Sequence, residues 1–223
     1  MIFNSPLQAV KIFQLTGNVL MAIGANYEMI LAEMRLRLKS GDVLSEFLEL
    51  NKNPKPTSEK WANSIAWNFI PFYSELTGYG LNSFLIGSPK NKKKKIQYIF
   101  SNDAIVEINT FNSQGGAADR SFIRYDESMS EMLTVDEDNI PYRLSRKLKK
   151  EDIVVGSFIV QDDGQYWVYE YLWELGVIIG IRDFSLNSAK PFVDLSVAYN
   201  ENGEVDRISY LFNDEQVVVY DKK

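Results

Sequence analysis

The stretch "FVDLSVAYNENGEVDRISYLFNDEQVVVYD", Phe192 to Asp221, decides the fold. Apolar and polar residues alternate through "FVDLSVAY", and "EVDRISYLF" and "QVVVYD" are rich in Val, Ile, Tyr and Phe. Such runs read as strands. "NENG" and "NDE" between them are turn sequences. Strands joined by so few residues must run antiparallel, because a parallel pair needs a crossover of about a dozen residues or more.

The same pattern extends upstream. After about Gly87 the apolar period becomes two, in "KIQYIF", "AIVEINTF" and "RSFIRY". "IVVGSFIV", the turn Asp162-Asp163-Gly164 and "QYWVYEYLWEL" predict a further hairpin. The first third reads differently. Ile23, Tyr27, Ile30, Leu31, Met34 and Leu38 recur at spacings of three and four, which predicts one helix from Ile23 to Lys39 ending near Gly41. Asp42 caps a short second helix whose Leu44, Phe47 and Leu48 face inward. "NKNPKP", Asn51 to Pro56, is a break. Trp61, Ile65, Phe69 and Phe72 then stand at helical spacing. The uncharged stretch Ile12 to Tyr27 is too short and too often interrupted for a membrane span and suits a core helix. The expected fold is therefore α+β. N-terminal helices (about 1–87) pack on a mainly antiparallel, meandering sheet (about 88–223), in one unit covering 1–223.

Composition closes several routes to function. The 223 residues include no cysteine and no histidine. Disulfides, thiolate metal sites and cysteine nucleophiles are excluded, as are imidazole bases and the usual zinc sites. Carboxylate, lysine, tyrosine or arginine chemistry remains. No Walker motif or nucleophile elbow is present. No metal site, cofactor or catalytic set is expected. The basic first region of a signal peptide is missing, so a cytoplasmic location without membrane contact is expected.

Three segments are candidate sites. Lys92 to Lys95 form a basic run, but the residues after it, Ile96 to Lys223, hold 23 acids against 12 bases. That imbalance repels nucleic acid. The run reads as a solvated, edge-protecting approach to "IQYIF". Asp126, Glu127, Glu131, Asp136, Glu137 and Asp138 gather without an interleaved base, as a loop and turn that could face a basic protein. The "PYRLSRKLKKED" that follows reads as a short basic helix able to neutralise them within the chain. In "YWVYEYLW", a strand would put Trp167, Tyr169, Tyr171 and Trp173 on one face, either as core or as a platform for stacking a sugar or other small ligand. Glu170 and Glu174 would lie about 13 Å apart along that strand, too far for a glycosidase pair.

These features favour a non-enzymatic protein-binding module, most concretely an acidic inhibitor or immunity-type protein that neutralises a basic toxin. The competing expectation is a small-molecule or carbohydrate binder using the aromatic hairpin at 165–175.

Overall fold

The computed structural model describes residues 27–50, 55–185 and 192–222. Two helices come first, α1 over 27–39 and α2 over Val43–Leu50. Among the described residues all other regular structure is strand, except one four-residue helix, α3 (Tyr73–Leu76). The strands form one twelve-stranded sheet in which every neighbour in space is the neighbour in sequence. They are β1 (Ser58–Ala62), β2 (Ile96–Ser101), β3 (Ala104–Phe111), β4 (Ala117–Tyr125), β5 (Met129–Val135) and β6 (Pro141–Lys150). Then follow β7 (Ile153–Gln161), β8 (Tyr166–Glu174), β9 (Val177–Asp183), β10 (Val193–Tyr199), β11 (Val205–Phe212) and β12 (Glu215–Asp221). All pairings are antiparallel. The expected meander is present, but the molecule is far more sheet than the expected α+β class implies.

Three local readings are corrected. Ser58–Ala62 is edge strand β1, not a helix, and pairs with β2 from Ser58↔Phe100 to Ala62↔Ile96. Its helical spacing arises because residues 63–72 follow an irregular path that buries Phe69 and Ile70 anyway. Pro141–Lys150 is strand β6, not a basic helix, since Leu144 and Arg146 alternate with Ser145 and Lys147 across the sheet. The acidic run is not all loop, because β5 lies within it. The Ile23–Lys39 helix is described from residue 27, and the stretch 12–26 and residues 51–54 lie outside the described residues.

Each sheet face has its own core. On one face, Leu31, Met34 and Leu38 of α1 and Val43 and Phe47 of α2 pack on Phe122, Leu133, Leu144 and Phe158. Leu48 of α2, expected inward, is exposed, and Val43 takes the inward place.

The other face is a trough. Residues 63–95, between β1 and β2, cross it with only α3 as regular structure. Within them, a Cβ on Gly80 would lie 3.3 Å from Tyr220 Oη of β12, while the Phe84 ring meets Tyr98 of β2 at 5.2 Å. Four residues span at most about 14 Å. In a flat sheet β2 and β12 would be about 48 Å apart at about 4.8 Å per strand. The sheet must therefore curl around this segment. It stays open, with β1 and β12 as edges. Tyr171 Oη donates to Pro71 O at 3.4 Å and Ala66 N donates to Tyr98 Oη at 2.9 Å, tying the segment down.

Candidate functional site

Beneath residues 65–73 the trough keeps a cavity of about 200 Å³. Its roof is Trp67, Asn68, Phe69 and Tyr73, and its apolar floor is Tyr98, Ile108, Met132 and Ile159. At the end where β4 and β6 begin, the wall turns polar, with Thr110, Asp119, Ser121, Thr134, Tyr142 and Arg143. Ser121 Oγ and Thr134 Oγ1 hydrogen-bond at 2.9 Å, so each of these buried hydroxyls has a partner.

Two bulges shape the polar end. Between β5 and β6, Thr134 pairs with Arg143 and Val135 with Pro141, leaving Tyr142 as the extra residue. Between β3 and β4, Thr110 pairs with Asp119 and Phe111 with Ala117, leaving Ala118 extra. A bulge re-aims the side chains beside it. Here Tyr142 and its neighbour Arg143 both line the cavity, which strict alternation would forbid. Tyr142 Oη donates to Asp119 Oδ1 at 2.9 Å. Burial, reinforced by the Asp119 carboxylate, pushes the Tyr142 phenol up to about 12, so it stays a donor at neutral pH. The Arg143 guanidinium lies 5.8 Å from the Tyr142 ring centroid. With the Gln161 amide turned to present its oxygen, Arg143 Nε and Nη2 donate to it at 3.0 and 2.6 Å.

Further along the same face Lys147 packs its ammonium 4.5 Å from the Phe69 ring centroid. Burial, helped by Lys149, lowers its pKa to about 8. Ser130 and Ser157 stand opposite it in register. Ser130 Oγ has no hydrogen-bond partner, so Ser130 and Lys147 do not form a nucleophile–base pair.

The acidic run is taken apart by the fold. Asp126 and Glu127 lie in the β4–β5 turn, and Asp136, Glu137 and Asp138 in the β5–β6 turn. The seven residues of β5 separate the two turns by about 20 Å. Asp136 is committed to its own turn, accepting from Asp138 N at 3.0 Å and Ile140 N at 2.8 Å. Glu131 is 0% exposed and faces the helices. It accepts from Arg37 Nη1 at 2.9 Å and Arg146 Nε at 2.7 Å, and pairs with Arg124. Glu33 and Glu46 complete a cluster of three arginines and three glutamates. Glu131 therefore belongs to the interior, while the exposed turn acids Glu127, Glu137 and Asp138 have no ion pair among the described residues.

The aromatic run supplies core. Tyr169 and Tyr171 are buried, Trp167 and Trp173 are half-buried, and all four join the trough-side cluster. Tyr171 Oη and Ser157 Oγ hydrogen-bond at 3.1 Å and Trp173 Nε1 donates to Val154 O at 2.8 Å. The lysine run precedes β2, but β2 is an inner strand. Edge protection falls instead to β1, which carries exposed Lys60. Lys92 rests its ammonium 5.1 Å from the Phe111 ring centroid.

Among the described residues no three carboxylates gather as metal ligands, and no helix is long and apolar enough to cross a membrane. Comparison with protein-family models finds no match, and comparison with curated proteins finds no similar sequence. The cavity's own residues were hard to see in sequence. Asp119 lies far in sequence from the adjacent pair Tyr142 and Arg143, and only the bulge at Tyr142 lets two consecutive residues face the same cavity.

Proposed function

We propose that this chain is a non-catalytic binding protein whose ligand, a small molecule, occupies the trough cavity. The observation that carries this reading is the cavity's division into an apolar body and one polar end, beneath a long irregular segment. Ligand sites are typically concave and mainly apolar, with a few convergent polar groups. A 33-residue connection with so little regular structure is uncommon in a domain and is usually functional. A non-catalytic role is supported by the missing imidazole and thiol and by a cavity phenol too weakly acidic to act as a base at neutral pH. The test is Thr110→Trp, which fills the polar end from a half-buried position on β3. A small-molecule library screened by thermal shift should yield ligands for the wild type that fail to shift this variant. A library without a single hit that the variant blocks would reject the reading.

Protein docking is the second reading, and one observation favours it. Along the sheet end that carries Asp126 and Glu127, the β2–β3, β6–β7 and β10–β11 turns also hold Asp103, Glu151, Asp152 and Glu201. Alternate turns of a meander are about 10 Å apart, so this end forms an acidic rim suited to a basic protein such as a toxin.

A further inference from the structure

Asp119 and Arg143 both line the polar end of the cavity, and neither has an opposite charge as partner among the described residues. Asp119 holds only a phenol hydrogen, and Arg143 only a side-chain amide and a ring face. Both groups reach the same phenol from different sides. Tyr142 gives its hydroxyl to the carboxylate and its ring to the guanidinium. Yet the two charges do not meet each other. A cation and an anion held apart beside an apolar cavity form a template for a molecule carrying the opposite pair at short separation.

We infer that the cavity takes a free apolar or aromatic α-amino acid, with its carboxylate on Arg143, its ammonium on Asp119 and its side chain between Trp67, Phe69 and Met132. This inference rests on the cavity being the ligand site. Size agrees with it. A dry cavity of about 150 Å³ accepts benzene, so about 200 Å³ has room for one ring or branched chain with a compact polar head. The guanidinium's planar array of donors suits a carboxylate, and Asp119 and Arg143 are the two charged side chains that line the cavity. Ordinary alternation puts both charges on the trough face, Asp119 with Ser121 and Arg143 with Ser145, while the bulge at Tyr142 turns its phenol to the same face, where it stays protonated to hold the Asp119 carboxylate in place.

Titration calorimetry with three probes tests the assignment: L-phenylalanine, phenylacetate lacking the amine, and phenethylamine lacking the acid. L-Phenylalanine should bind the wild type about 10-fold or more tighter than either truncated probe, because each loses one charge-assisted contact. Arg143→Gln should abolish the preference for L-phenylalanine over phenethylamine. Asp119→Asn should abolish its preference over phenylacetate. If either truncated probe binds the wild type as tightly as the amino acid, and Thr110→Trp blocks that binding, the zwitterion assignment is overturned while the cavity remains the ligand site. If none of the probes binds and no library member is blocked by Thr110→Trp, both readings fall.

Discussion

Two buried glutamates show how differently one residue type can be placed. Glu131 has three arginines around it and every oxygen satisfied. Removing one member of such a buried network leaves uncompensated charge, so Glu131→Gln should lower the unfolding free energy by about 3–5 kcal/mol in urea titrations. Unchanged stability would show that the cluster is decorative. Glu170, on β8, is 1% exposed with neither carboxylate oxygen hydrogen-bonded. Gly156, opposite it on β7, offers no side chain, and among the described residues the one cation in ion-pair range, Arg182, is 3.8 Å away and already paired to Asp194. Burial raises the Glu170 pKa to about 7, against the pull of Arg182. Its folded pKa thus lies above the unfolded one. The stabilising effect of the protonated form is complete below about pH 4.5 and is lost as pH rises through about 7, a change of up to about 3 kcal/mol. Glu170→Gln should remove most of that slope and raise the melting temperature at pH 8. A variant with the wild-type pH profile would contradict this.

At the level of elements, the sequence was most legible where one face is wet and the other dry. β10 alternates cleanly because its outer face meets water, and α1 shows its stripe for the same reason. Met34, at 0% exposure, anchors that stripe on the sheet. Met34→Asp should bury an unpaired charge and lower stability by more than about 3 kcal/mol, and a thermal midpoint within 2 °C of wild type would disprove the packing, by about the scale of small-domain shifts. β5 and β6 were obscured by burial on both faces. Their helix-side charges, Glu131 and Arg146, look like surface residues in sequence and are in fact each other's partners. β1 was obscured for another reason. Only five residues long, it borrows an apparent helical period from the irregular segment that follows. The cavity escaped notice because Asp119 is distant in sequence from Tyr142 and Arg143, and the bulge that turns Tyr142 to the same face as Arg143 has no local sequence signature here.

Over the whole molecule, negative charge is distributed rather than focused. The exposed acids occupy both ends of the sheet, and the neutralisation offered by β6 goes to the buried Glu131 rather than to the turns. Reversing Glu127 and Glu201 to lysine, two exposed acids of the rim at the end that carries Asp126, should therefore change the unfolding free energy by less than about 0.5 kcal/mol. If that end engages a basic partner, association with a strongly basic protein such as protamine should slow, most of all at low ionic strength. A marked loss of stability would mean that these acids are paired within the chain, and would end the docking role for that rim.

The order of strands also fixes an order of events in folding. From β2 to β12 most pairings close loops of two to five residues, so this part can zip together from local hairpins. β1 is the exception, because its pairing with β2 must close a 33-residue loop. Relative to a four-residue turn, that costs about 2 kcal/mol of additional chain entropy. β1 and the roof over the cavity should therefore come last in refolding and exchange their amide hydrogens first in the native state, making the entrance to the ligand site the part of the chain that opens without unfolding the rest.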